Sequence, residues 1–279
     1  MLKRRPLLFF FPLAFALSWY PWILALVQRS GPSGPNPLGV LVAALLVTGL
    51  AFGKTGLKDL FARLFRWRVG VQWYALVLLL PPVFCITAAG INILAGAPMP
   101  SPEKFRAWPG MIDRFIFIFL FIGLGEEPGW RGFALEQLQK NRTPLAASAI
   151  LACVWAFWHL PLMGTEFTLP VIPAFLLSVF AATFILTWMY NRTRGSILLP
   201  MILHSTVNTV GAGFLFPMFT GADSLRLWYI YSALCVVFAA ALIASGKLSH
   251  NPRMSLQPSS DLNSGSPVAG TEARSAAAF

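Results

Sequence analysis

Long apolar runs, separated by short basic or Pro- and Gly-rich breaks, dominate the chain up to about residue 245. Crossing the hydrocarbon core of a bilayer takes about 20 helical residues at about 1.5 Å each. Runs near 7–28, 37–53, 71–95, 112–134, 145–162, 172–190, 197–216 and 227–245 meet or approach that length. They predict an all-α, polytopic transmembrane helical bundle of about eight spans. The first run follows Lys3, Arg4 and Arg5 as a signal peptide would, but its apolar part is longer than a signal h-region. It reads as an uncleaved anchor.

Composition agrees. Residues are 57% hydrophobic and only 11% charged, against about 25% charged in an ordinary soluble domain. The formal charge of +11 sits in short loops between apolar runs, so it signals topology and implies no nucleic-acid partner. With the N-terminus cytoplasmic, the inner segments hold all of the 21 Lys and Arg except Arg29, Lys104, Arg106, Arg114 and Arg226. That bias predicts an integral membrane protein with both termini cytoplasmic. Cys85, Cys153 and Cys235 lie in separate apolar runs with no C-x-x-C spacing and read as small buried apolar residues.

The chain divides into N-terminal transmembrane helices with an interfacial amphipathic helix (1–110), a core with the candidate chemistry (111–216), a last span (217–245) and a tail (246–279). Leu57, Leu60, Phe61, Leu64 and Phe65 recur at helical spacing among Lys58, Arg63, Arg66 and Arg68, predicting the interfacial helix. Pro81 and Pro82 predict a kink or break in the third span. The tail turns to Ser, Pro, Asn, Gly and Ala, a composition expected to be disordered and, on this topology, cytoplasmic.

Against this apolar background, polar residues inside spans are conspicuous. Each ionisable group at mid-bilayer costs roughly 2.5–3.5 kcal/mol on insertion scales, yet Glu126 and Glu127 end the apolar run from Phe115 to Leu124. Arg131 follows Glu127 by one helical turn, on the same face if the helix continues through Pro128 and Gly129. His159 ends Trp155-Ala156-Phe157-Trp158, and His204 and Asn208 lie four residues apart on one helix face. The fourth and fifth runs form a hairpin about Arg142 and Thr143, with equal lengths of chain back to Glu126 and on to His159. Antiparallel helices would bring these two to similar depth.

Such a set suits hydrolysis. A glutamate with a histidine can take a proton from water, and a second His with an Asn can donate to the oxyanion of a scissile carbonyl. Alternatively, carboxylate and imidazole ligands suit zinc, which would polarise the water. Spacing alone leaves both open. Neither H-E-x-x-H nor G-x-S-x-G is present. Two other classes fit a polar cluster in a membrane: a proton- or cation-coupled transporter, and a non-catalytic immunity or scaffold protein.

Glu126-Glu127 with Arg131, Trp155 to His159 and His204 to Asn208 resemble the E-E-x-x-x-R, F-x-x-x-H and H-x-x-x-N motifs of the CPBP (CAAX prenyl protease and bacteriocin-processing) intramembrane metalloproteases. Trp155 stands where that pattern has Phe, and the stretch Asn191 to Ser196 is also similar to bacterial members. The resemblance implies an intramembrane endopeptidase acting on a membrane-associated peptide or protein, by CAAX-type processing or in bacteriocin maturation or self-immunity. It implies that Glu126 and His159 activate water, that His204 and Asn208 form an oxyanion hole, and that Glu127 and Arg131 support the site. It further implies a divalent metal, zinc by ligand type, held by Glu126, Glu127, His159 and His204. It names no particular substrate and no oligomeric state.

Overall fold

A computed structural model of the 279-residue chain describes residues 1–248. The tail assigned from residue 246 lies almost wholly outside the described residues. Within them the chain is a helical bundle without a β-sheet. The eight apolar runs correspond to α1 (Leu7–Gln28), α2 (Leu38–Leu64), α3 (Val71–Leu94), α4 (residues 110–138), α5 (Pro144–Trp158), α6 (Ile172–Arg192), α7 (Leu198–Met218) and α8 (Gly221–Ala244).

Six of these, α1, α2, α3, α6, α7 and α8, are long and apolar enough to cross a membrane. The expectation of about eight full spans is corrected at α5. Helix α5 has 15 residues, about 22 Å at 1.5 Å per residue and short of a hydrocarbon core of about 30 Å. It starts on Thr143, whose hydroxyl accepts the Ala146 N–H, with Pro144 at the first helical position where its missing N–H costs nothing. It stops at Trp158, so His159 lies just past the helix end and not inside a span. Helix α4 is continuous, but its hydrogen bonding alternates between α and π patterns.

Large apolar side chains such as Leu8, Ile23, Leu79, Leu94 and Val237 point outward, as on a surface solvated by lipid. Inside, α4 runs between α2 on one side and α7 on the other, α5 packs on α6, and α3 and α6 both pack on α8. The functional helix is therefore flanked on both faces by elements that can set its position.

Three local expectations change. Pro81 and Pro82 do not break α3, which runs through them. The amphipathic segment is the helix that follows a kink at Gly53 (φ 63°, ψ −157°), a backbone state open to glycine, and it forms the second part of α2. Its Arg63 is buried instead of reaching outward: it donates to the Gly132 carbonyl and the Tyr190 hydroxyl, both at 2.7 Å, and to Asp59 at 2.9 Å. Tyr190 in turn donates to Glu136 at 2.6 Å. Cys85 and Cys235 are buried as expected, but Cys153 is exposed on the outer face of α5.

The stretch Asn191 to Ser196 closes the same end of the bundle. Asn191 and Gln139 exchange amide hydrogen bonds of 2.7 and 3.2 Å, joining α6 to the end of α4. The Ser196 hydroxyl donates to the Arg66 carbonyl at 2.7 Å.

Candidate active site

Helix α4 carries Glu126 and Glu127 in a single α-helical turn, Leu124–Glu127, set between the π-helical segments Phe119–Gly123 and Pro128–Leu135. In an α-helix, Pro128 would remove one hydrogen bond and crowd the carbonyl four residues back. The wider i→i+5 turn relieves that conflict, and the chain passes Pro128 in helical conformation (φ −61°, ψ −34°). The break considered at Pro128 and Gly129 is absent. Gly129 has another role: a Cβ there would lie 2.3 Å from Val40 Cγ1 and 2.9 Å from the Val40 carbonyl oxygen. Its bare backbone lets α2 press directly against α4 beside the glutamates.

The adjacent carboxylates point to different partners. Glu126 Oε2 accepts the indole N–H of Trp155 at 2.9 Å and of Trp130 at 3.2 Å. Glu127 Oε1 accepts Arg131 Nη1 at 2.9 Å and faces His204 Nδ1 at 2.8 Å. Glu127 and Arg131 are wholly buried, and the guanidinium also stacks 4.1 Å above the Trp155 ring. Glu127 is thus the carboxylate matched to cations, and Glu126 the one held only by neutral donors.

His159 Nδ1 lies 2.7 Å from the Trp155 carbonyl, the geometry of an Nδ1–H donor, which leaves the Nε2 lone pair as the ring's acceptor. The ring is wedged edge-on against Trp158 and Phe175. By the same reasoning His204 donates through Nδ1 to Glu127.

A cavity of about 620 Å³ opens between α4, α5, α6 and α7, lined by Glu126, His159, His204 and Asn208 and otherwise mainly by apolar side chains such as Phe117, Phe121, Val179 and Leu186. Glu127 and Arg131 are not in its wall. The six residues singled out in the sequence therefore fall into four that face one cavity and two behind it. Glu126 Oε1 makes no hydrogen bond among the described residues, while Oε2 is anchored by both indoles. Sequence reasoning missed Trp130 and Trp155 as donors. The available signal was that a Trp N–H in an apolar span needs a partner, and Trp130 is one turn from Glu126.

The four tentative zinc ligands do not form a ligand group: no set of three or more His, Cys, Asp and Glu side chains is arranged to hold a metal among the described residues. Glu127 Oε1 is already engaged by Arg131 and His204, and His204 Nδ1 by Glu127. No chemical step is assigned to a metal here.

Residues 108–210, which include all six site residues, match the family model described as Type II CAAX prenyl endopeptidase Rce1-like. The chain is also 28% identical over 164 residues to CAAX prenyl protease 2 of Methanococcus maripaludis, an alignment covering 54% of this chain and 60% of that protein. The chain thus spans somewhat less than two thirds of the curated relative's length. Motifs, an apolar all-helical bundle and the matched segment agree: through residues 108–210, this integral membrane protein is similar to the Rce1-like, CPBP family.

Proposed function

We propose that the protein is an intramembrane endopeptidase that hydrolyses a peptide bond of a membrane-associated protein or peptide. The observation that carries this reading is the asymmetry of the glutamate pair. Glu126 presents a carboxylate oxygen without a hydrogen-bond partner, in the wall of a cavity it shares with two histidines and an asparagine. The CAAX prenyl protease relative supports the reaction class. The apolar cavity walls suit a substrate with an apolar, prenyl-like or aliphatic portion. Bacteriocin maturation or self-immunity would use the same site on a different peptide.

In the proposed reaction Glu126 takes a proton from a water molecule oriented by His159 Nε2, and the water oxygen attacks the scissile carbonyl. The carbonyl oxygen becomes an oxyanion that accepts hydrogen bonds from the Asn208 amide and from Nε2–H of His204, which is protonated on both ring nitrogens while Nδ1–H donates to Glu127. Collapse of the tetrahedral intermediate breaks the C–N bond, and the proton held by Glu126 passes to the leaving amine. Glu127 and Arg131, behind the cavity wall, fix His204 and the turn that carries Glu126. Zinc bound in the active purified protein, and lost together with activity on chelation, would require a different scheme.

The test is cleavage of membrane peptides by purified protein in detergent or liposomes, comparing wild type with Glu126→Ala and His159→Ala. Cleavage lost in both variants supports the reading; equal cleavage in all three proteins removes it. A scaffold reading draws on the fully buried Glu127–Arg131 pair, which by itself could only fix helix packing. It predicts that a cellular phenotype survives Glu126→Ala and His204→Ala together.

A further inference from the structure

We propose that Arg114 binds a carboxylate of the substrate peptide at the end of the cavity remote from Glu126. This rests on the endopeptidase reading and extends it to specificity. Arg114 and Glu126 line the same cavity, twelve residues apart on α4, or roughly 18 Å at 1.5 Å per residue. The other charged or titratable residues in that wall are His159, Glu166, His204 and Tyr231. Arg114 makes no hydrogen bond or ion pair among the described residues, with Glu166 or any other group.

An arginine at the edge of a membrane helix ordinarily stretches its guanidinium towards the headgroups. Here the exposed side chain lies against α7 at Gly213. A Cβ built on Gly213 would sit 2.6 Å from Arg114 Cδ and 2.8 Å from Nη1, so the absent side chain at 213 is what gives the arginine its path. Gly213 is five residues beyond Asn208, about one turn of the π-helical segment Asn208–Leu215. The guanidinium is therefore seated about a turn along α7 from the proposed oxyanion donor.

An extended peptide advances about 3.3 Å per residue. With its scissile carbonyl at Asn208, a peptide would reach Arg114 two to three residues away, by rough measure. The planar fork of a guanidinium matches a carboxylate through two parallel hydrogen bonds. The carboxylate can come from a chain terminus or from an Asp or Glu side chain.

The experiment measures binding of three fluorescent, N-acylated hydrophobic hexapeptides to the full-length protein by equilibrium dialysis. One ends in a free carboxylate, one in a carboxamide, and one in a carboxamide with Asp at the penultimate position. Wild type is compared with Arg114→Gln, Arg114→Lys and Gly213→Ala, with thermal melting as the control for folding. The expected result is a preference of about 10- to 100-fold for a carboxylate over the plain amide, the range of a charge-assisted hydrogen bond. Arg114→Lys keeps part of it, Arg114→Gln and Gly213→Ala lose it, and affinity for the plain amide stays unchanged. Which acidic peptide gains identifies a terminal or side-chain source. No carboxylate preference in wild type, or an undiminished one in Arg114→Gln, overturns the proposal. So does loss of co-purifying anionic lipid in Arg114→Gln with peptide preference unchanged, since Arg114 would then hold a headgroup. Carboxylate preference without any peptide cleavage leaves this site standing and removes the endopeptidase reading alone.

Discussion

Arg131 Nη1 lies 2.9 Å from Glu127 Oε1 with both side chains wholly buried, and the same oxygen faces His204 Nδ1 at 2.8 Å. One carboxylate thus ties a guanidinium on α4 to an imidazole on α7. Its neighbour, Glu126, is left to the cavity. Two identical side chains, adjacent in sequence, are assigned different work by which side of the helix each leaves from.

Replacing Arg131 by Met keeps much of the side-chain volume but leaves Glu127 buried without its fixed cation. Removing one partner of a buried pair costs about 3–5 kcal/mol. A clear drop in the thermal midpoint is expected, measured in detergent by tryptophan fluorescence. The Glu127→Gln, Arg131→Met double variant should recover part of that loss and yet remain slow, because His204 is no longer held.

Trp155→Phe tests a feature that the motif itself does not require. The ring is retained, but the 2.9 Å hydrogen bond to Glu126 and the larger stacking face for Arg131 are lost. A buried acceptor deprived of one donor loses about 1–2 kcal/mol, so kcat should fall by about tenfold with little change in KM. Steady-state kinetics on one peptide substrate decides it.

Reading the sequence located the six polar residues because ionisable groups stand out in apolar runs, and helical spacing paired His204 with Asn208. Trp155 was seen only as an aromatic replacing Phe, since periodicity does not say where an indole N–H points. The passage through Pro128 was equally illegible: an α-helical rule predicts trouble there, and only the π-helical turn shows how it is avoided. In sequence, Arg63 reads only as one of the cations on the polar face of an interfacial helix. Its burial depends on Tyr190 and Gly132, far away in sequence, and no local pattern reports them.

Arg63→Gln removes the clamp between the end of α2 and the Gly132 carbonyl. With a lost charge-assisted hydrogen bond contributing about 1.5–3 kcal/mol, the variant should be destabilised by a similar amount. Activity should fall as well, since Gly132 follows Arg131 on the π-helical segment. Hydrogen exchange across residues 128–138 should rise in this variant and stay unchanged in α8.

Gly129→Ala places a methyl group against Val40 where no space exists. Overpacking of this kind costs about 1–3 kcal/mol. Here it should also shift α4 away from α2 and lower kcat, whereas Gly129→Ala combined with Val40→Ala should restore both stability and rate in part. Equal kinetics in the wild type and the single variant would show that the close approach of α2 has no bearing on Glu126.

The central claim is that the cavity-facing carboxylate of Glu126 activates water for peptide hydrolysis. The most direct measurement is mass spectrometry of peptide products formed by liposome-reconstituted protein in heavy-oxygen water, with Glu126→Gln alongside. One heavy oxygen is expected in each new carboxyl terminus, with products lost in a Glu126→Gln protein that melts like wild type. Products formed equally by both proteins, or new termini without the label, would contradict it.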